Sequence, residues 1–321
     1  MSKSQKYLIG ILGLQIVLIF IVFLLQRPVA ASNNLVLPDL TIESVSEISI
    51  SDSAGNIITM QNKGDQWVLP QQDDFPVLSN NIQQLVEKLA TIRDNRLVTR
   101  SETSHDRLNI SDKNYERKVE ITLNGKKEVI FFGSSPAANT IHFRMEGKPE
   151  VYLTNAITTT QISTTYSSWV ATIVFQISSA NVTKIEVTSS EGVFVFDPDP
   201  DTSWTSAQVA EGNQFDQSKW SSLLTGFTNL RFVEPVSMAE KAEYGLETPQ
   251  AVMKIEYSNE TSESITGELV IGSPDGLGNY YAKWSESAYI YKISSFNAER
   301  FINLSADDFS SPIATEENGN G

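Results

Sequence analysis

Apolar and polar residues alternate in Val45-Ser-Glu-Ile-Ser-Ile-Ser, and the alternation returns in Val182-Thr-Lys-Ile-Glu-Val-Thr. A period of two marks a strand that buries one face. The same reading predicts strands at 45–51, 56–62 and 66–69, then at 182–188, 192–196 and 203–206. The stretch 52–55 (Asp-Ser-Ala-Gly) and Glu191-Gly192 supply turns between them. Further strands are predicted at 118–124, 127–132, 140–145 and 150–153, with counterparts at 251–257, 267–271, 279–284 and 288–293. Between the two groups the period lengthens. Ile82, Leu85, Leu89 and Ile92 follow a helical spacing, as do Trp220, Leu223, Phe227 and Leu230, and predict amphipathic helices over 79–92 and 216–230. Ser79 and Asp216 suit the N-caps, because their side-chain oxygens can accept the first free backbone N–H groups. A last helix is predicted over 156–168. Hairpin-joined strands interrupted by one helix make an α+β fold with a mainly antiparallel sheet, not a parallel doubly wound one.

The pattern is written twice. Val182, Gly192 and Trp204 each stand 137 residues beyond Val45, Gly55 and Trp67. The helical apolar positions follow at 138, then Val270-Ile271-Gly272 at 139 from Phe131-Phe132-Gly133, and Ile290-Tyr291 at 139 from Val151-Tyr152. One hairpin, Ile121 against Ile255, slips to 134, as loops of drifting length allow. Internal self-similarity on this scale reads as a duplication. It predicts two tandem repeats, 44–170 and 180–310, each with a sheet, one amphipathic helix and a shorter terminal helix. Residues 28–43 read as a tether and 312–321 as a disordered tail.

From Tyr7 to Leu25 the chain is apolar apart from Gln15. As a helix this run spans about 28 Å, close to the hydrocarbon thickness of a bilayer. Lys3 and Lys6 precede it and Arg27 follows, so the positive-inside bias puts residues 1–27 at the cytoplasmic side and in the membrane, with the bulk outside. A signal peptide cut after Val29-Ala30-Ala31 is the rival reading. The run is longer than an ordinary signal core, and Arg27-Pro28 separates it from the cut, which favours an uncleaved single-pass anchor. Both readings export the rest, and the expected location is the bacterial cytoplasmic membrane with the bulk extracytoplasmic.

Charge and chemistry narrow the function. A formal charge of -15, from 39 acidic and 24 basic residues, argues against a nucleic-acid surface. With no cysteine, disulfides, thiolate zinc sites, thiol nucleophiles and a lipoprotein anchor are all excluded. His105 and His142 lie in different elements and lack companions at ligand spacing. Asp197-Pro198-Asp199-Pro200-Asp201 could offer carboxylates to a cation, but Thr202 and Gln208 stand where a calcium loop needs Gly and Glu. Gly272-Ser273-Pro274 is a turn and not a nucleophile elbow, as its counterpart Gly133-Ser134-Ser135-Pro136 indicates. No cofactor motif is found. Trp67 and Trp204 read as equivalent core anchors. Tyr280, Tyr281, Trp284, Tyr289 and Tyr291 crowd two adjacent strands and form the candidate partner surface.

Several of these residues together resemble the bacterial family called domain of unknown function 4340. They are Gln66-Trp67-Val68-Leu69, Arg231-Phe232-Val233, Tyr244-Gly245-Leu246-Glu247-Thr248-Pro249, Val270-Ile271-Gly272, Tyr280-Tyr281 and Ile290-Tyr291. The first repeat departs from the pattern, with Asp106-Arg107-Leu108 where Tyr-Gly-Leu is expected. The resemblance implies a single-pass membrane protein found with ABC transport systems of the gliding-motility type, beside an integral permease or its auxiliary subunit. The resulting expectation is a non-enzymatic, membrane-anchored accessory of an ABC-type transport complex. Its alternatives are an extracytoplasmic ligand- or glycan-binding module and, behind that, a hydrolase with a carboxylate site.

Overall fold

The alternating stretches become antiparallel strands in a computed structural model of the chain, which describes residues 11–19, 32–64, 66–199, 203–259 and 261–313. β1 (Val45–Ser51), β2 (Ile57–Asn62), β3 (Trp67–Leu69) and β4 (Phe75–Pro76) are hydrogen-bonded in the order β4-β3-β2-β1. Ile48 and Ile50 of β1 lie opposite Met60 and Ile58 of β2, and all four are buried. On the other face Ser49 and Thr59 share a hydroxyl hydrogen bond of 3.1 Å. α1 (Ser79–Ala90) follows and buries Ile82, Leu85, Val86 and Leu89, the stripe that a 3.6-residue period aligns.

β5 (Leu97–Thr99), β6 (Arg117–Leu123), β7 (Lys126–Phe132), β8 (Ile141–Met145) and β9 (Val151–Thr154) are ordered β6-β7-β8-β9-β5. Val119, Ile121 and Leu123 turn inward. Lys118 and Glu120, on the alternate positions of the same strand, pair at 3.1 Å, and Lys127 joins Glu120 at 2.9 Å.

The rest of the chain begins with β10 (Ile173–Gln176), β11 (Val182–Ser189), β12 (Gly192–Pro198), β13 (Trp204–Thr205) and β14 (Asn213–Phe215). α2 (Gln217–Thr228) leads into β15 (Asn229–Arg231) and β16 (Glu234–Ser237). Then come β17 (Ala251–Ser258), β18 (Ser264–Pro274), β19 (Asn279–Trp284), β20 (Ile290–Ser294), α3 (Ser295–Ile302) and β21 (Ser310–Pro312). Eight of these strands form one antiparallel sheet in the order β13-β12-β11-β17-β18-β19-β20-β16, while β10 pairs with β15 and β14 with β21. Asp216 caps α2 by accepting from the Ser218 and Lys219 N–H groups at 2.9 and 3.1 Å. An aromatic core lies where β12, α2 and α3 meet. Phe196 stacks on Trp220 at 4.2 Å between centroids, Phe309 meets Phe196 at 4.9 Å, and Phe227 meets Phe301 at 5.1 Å.

The residues gather into two compact units, one built mainly from Gln84–Ile162 and the other from Gly55–Gln83 with the chain beyond Ser163. In the first, Leu108, Ile110, Val129, Phe131 and Val151 form a buried cluster against Tyr115. In the second, Phe75 of β4 stands at the centre of an aromatic group, with its ring centroid 4.7 Å from Tyr289, 5.5 Å from Phe232 and 6.3 Å from Tyr291.

The expectations for residues 156–168, for the tether, for the stretch 170–181 between the expected repeats and for the start of the tail are revised. Residues 156–168 hold two 3-10 turns, Thr159–Gln161 and Tyr166–Ser168, in place of a helix. Hydroxyl and amide side chains there bind local backbone N–H groups, as Ser163 Oγ does for Thr165 and Gln161 Oε1 for Thr158, and so compete with helical hydrogen bonds. The described part of the tether is packed: Leu37 and Leu40 are buried, and Val36 N–H donates to Ile92 C=O at 2.9 Å. The junction 170–181 carries β10, and the start of the tail completes β21, with 314–321 outside the described residues. Of the expected span 7–25, residues 11–19 are described; they are helical and exposed. Among the described residues no helix is long and apolar enough to cross a membrane.

Two glycines hold crossing turns against strand ends. A Cβ on Gly133 would collide with the Leu108 and Asn109 carbonyl oxygens, and one on Gly272 with the Tyr244 carbonyl oxygen. The residues after those contacts, Asn109 and Gly245, both have left-handed backbones, φ 52° and 66°. Leu108-Asn109-Ile110 and Tyr244-Gly245-Leu246 are thus turns of the same kind, each resting on one of these glycines. Asn109 adopts this conformation without being glycine because Asn is the non-glycine residue best tolerated at positive φ. Gly133→Ala and Gly272→Ala are each expected to lower stability by about 1–3 kcal/mol through overpacking. Phe75→Ala is expected to lose about 3–5 kcal/mol. Urea unfolding midpoints measure all three, and unchanged midpoints would contradict these packing assignments.

Candidate functional site

β19 and β20 carry the five aromatics of the candidate surface, and their register divides them. Tyr280 lies opposite Ile293, Ala282 opposite Tyr291, and Tyr281 opposite Lys292. Directly opposed residues share a face, so Tyr280, Trp284 and Tyr291 project to one side and Tyr281 to the other. Trp284 and Tyr291 are buried, 3% and 5% exposed. Tyr281 stacks at 4.4 Å on Tyr244, the tyrosine of Tyr-Gly-Leu, with Lys292 Nζ 5.9 Å above its ring. Lys292 is in turn held by Glu234 at 3.1 Å and by Asp275 at 3.7 Å. Tyr289 packs on Phe75 and donates its hydroxyl to Asp73 C=O at 3.3 Å. The structure thus joins Trp284 and Tyr291 in one place and parts them from Tyr281.

That place is an open cleft of about 580 Å³ at the end of the eight-stranded sheet. Trp284 and Phe175 form its floor, their ring centroids 4.4 Å apart. The benzo edge of Trp284 occupies the space a Cβ on Gly267 would need, so this glycine seats the indole. Tyr257 Oη donates to Glu286 Oε1 at 2.9 Å, and the Tyr291 and Ser287 hydroxyls are bonded at 2.7 Å. Gln176, Asn181 and Asn259 contribute amides to the walls. Burial first, then the hydrogen bond to Glu286, pushes the Tyr257 hydroxyl up to about 12. Burial also raises Tyr291, with Ser287 opposing it.

Sequence reasoning reached Trp284 and Tyr291 but not their neighbours. Phe175, Gln176 and Asn181 lie in what reads as a featureless junction, and Tyr257 reads as one more alternating strand residue. Their only shared signal is proximity, which a linear pattern does not carry.

The other candidates are placed as follows. His105 is buried with its Nε2 3.0 Å from Pro149 C=O, and His142 is buried with its Nδ1 2.6 Å from Ser134 C=O, so backbone carbonyls satisfy both rings. Asp197 and Asp199 sit at the end of β12, where Asp197 pairs with Thr205, and Asp201 lies outside the described residues. Among the described residues no group of three His, Cys, Asp or Glu side chains could hold a metal ion. Trp67 is buried and pairs with Asn62 at the end of β2; Trp204 is half-buried and pairs with Pro198 at the end of β12.

These features define an α+β protein with an aromatic-floored cleft and a glycine-seated Tyr-Gly-Leu turn. The chain belongs to the family described as Domain of unknown function (DUF4340), which it matches over residues 67–249, more than half its length. The match opens at Trp67 and closes at Pro249, so it takes in the Trp-x-Leu strand, Arg231-Phe232-Val233 and the Tyr-Gly-Leu-x-x-Pro turn, while Val270-Ile271-Gly272, Tyr280-Tyr281 and Ile290-Tyr291 lie beyond it. No curated protein and no solved structure matches the chain.

The tyrosines give a pH signature. Tyr257 and Tyr166 are both raised from 10.0 to about 12, Tyr166 by burial and then by the charge of Glu234. The folded chain keeps two protons that the unfolded chain releases near pH 10, so this contribution to stability is full below that pH. It is lost as pH climbs toward 12. Phenolate absorbance should show Tyr257 and Tyr166 among the late-ionising tyrosines, and Tyr257→Phe should remove one of these. An unchanged alkaline limb in the variant would contradict the Tyr257–Glu286 pairing.

Proposed function

We propose that this chain is a membrane-anchored, extracytoplasmic accessory protein that acts by contact, as an auxiliary component of an ABC-type transport complex. The observation that carries the reading is the helix at 11–19. Its seven large apolar residues, Ile11, Leu12, Leu14, Ile16, Val17, Leu18 and Ile19, are each more than half exposed. An apolar helix without a polar face is costly in water and at home in hydrocarbon. It lies inside the apolar run Tyr7–Leu25, and Lys3 and Lys6 orient that run with the bulk outside.

The exported part is, in this reading, two tandem copies of one α+β unit. Three observations support the duplication. The order β6-β7-β8-β9-β5 repeats as β17-β18-β19-β20-β16, and β3-β2-β1 repeats as β13-β12-β11. Trp67 and Trp204 pair with the ends of corresponding strands. Gly133 and Gly272 seat corresponding left-handed turns.

Contact in place of turnover is supported by how the charged groups are used. Arg144, 4% exposed, donates to Ile110 C=O at 2.9 Å, pairs with Asp112 and lies over the Phe131 ring. Glu268 pairs with Lys254, and Glu240 with Lys283, across neighbouring segments. These are structural duties. The transport partner, an integral permease or its auxiliary subunit, comes from the family resemblance.

Affinity purification of the full chain in mild detergent tests the proposal. An ABC permease and its ATPase are expected to co-purify, and deletion of residues 7–25 is expected to abolish their recovery. Recovery of the chain alone from membranes where it is expressed at native level would overturn it.

A further inference from the structure

We propose that the cleft floored by Phe175 and Trp284 is a binding site for a neutral carbohydrate chain. The inference goes beyond the accessory role and stands independently of any transport partner.

The lining decides the ligand class. Among the described residues no Lys, Arg or His borders the cleft, and Glu286 is the one carboxylate there, so phosphates, carboxylates and other anions meet no countercharge and one like charge. A purely apolar ligand would bury amides and hydroxyls without partners, which is costly. What remains is a guest with apolar patches and many neutral hydroxyls. Sugars have both: C–H faces that pack on aromatic rings and hydroxyls that bond to planar amides and carboxylates. Phe175, Trp284 and Tyr291 supply the apolar floor, and Gln176, Asn181 and the Tyr257–Glu286 pair supply the polar wall. Gln176 and Asn181 are exposed, so they meet a ligand without leaving a packed position. The cleft volume, about 580 Å³, lies within the usual range for a small-ligand site.

An extended peptide is the main rival, because β10 runs along the cleft and could accept an added strand. Two features break the row of backbone groups that pairing would need. The register of β10 shifts at Val174, between Ile173 and Phe175. Beyond Gln176, the Ser178 carbonyl already accepts from Asn181 N–H at 2.9 Å.

The test uses the full chain in nanodiscs free of glycolipid, applied to an array of neutral oligosaccharides and then titrated calorimetrically with the best-bound probe. At least one neutral oligosaccharide is expected to bind. Tyr257→Phe and Gln176→Ala, each of which removes a polar group at a partly exposed position, should weaken it about fivefold or more, the equivalent of one hydrogen bond. Thermal unfolding of Gln176→Ala should match that of the parent, and Gly267→Ala should weaken binding by displacing the indole. No binding to any neutral glycan would overturn the proposal. So would equal affinity in both wall variants, preference for sulfated or carboxylated glycans, or competition by a peptide and not by sugar.

Discussion

Register is the constraint on which the rest of this structure depends. Strands such as β1 and β11 bury one face, and a slip of one residue would carry Ile48 and Ile50, or Ile185 and Val187, into water and bring their charged or hydroxylated neighbours into the core. The outward positions reinforce the choice. Lys254 faces Glu186 on one side and Glu268 on the other, and Lys184 faces Glu256, so the correct register also aligns opposite charges. Such exposed pairs contribute little stability singly. Their stronger effect is to make a slipped sheet set like charges or apolar groups beside them.

With register set, close approach does the finer positioning. Gly133 and Gly272 let a carbonyl oxygen rest on the strand end, and this fixes where the Leu108-Asn109 and Tyr244-Gly245 turns cross. Gly267 does the same for a side chain by admitting Trp284. From that seat Trp284 meets Phe175 and completes the floor of the cleft. The sheet's aromatic positions are therefore divided by function. Tyr289 packs on Phe75, Tyr281 is held among Tyr244 and Lys292, and Trp284 and Tyr291 border the cleft.

Strands and helices were legible where a period ran long enough to outweigh local chemistry. β6 and β17 each place three or more apolar residues at spacing two, β1 and β11 each place two so spaced after a leading Val, and α1 and α2 have full apolar stripes. Short elements were legible only in part. β3 and β13 fall within the strands expected at 66–69 and 203–206, whereas β4, with two residues, is too short to show a period and its pairing comes from the strand beside it. The helix expected over 156–168 rested on Ile157, Ile162 and little else, and the Ser and Thr side chains there bind the backbone locally. The turn at Leu108-Asn109-Ile110 was hidden because Asn109 takes a left-handed conformation that Gly245 also takes, a likeness of backbone that letter matching does not show. Only part of the candidate site was readable, since Trp284 and Tyr291 stand in a dense aromatic stretch. Phe175, Gln176, Asn181 and Tyr257 reach them only through folding.

The account turns on the chain being held at a membrane with its folded bulk outside. The absence of cysteine makes a direct measurement clean, because any single introduced thiol is the only one present. Ser4→Cys lies before the apolar run, and Ser190→Cys lies in the exposed turn between β11 and β12. On intact spheroplasts, a membrane-impermeant maleimide should label position 190 at once and position 4 only after lysis. Labelling of position 4 with protection of position 190 would contradict the account.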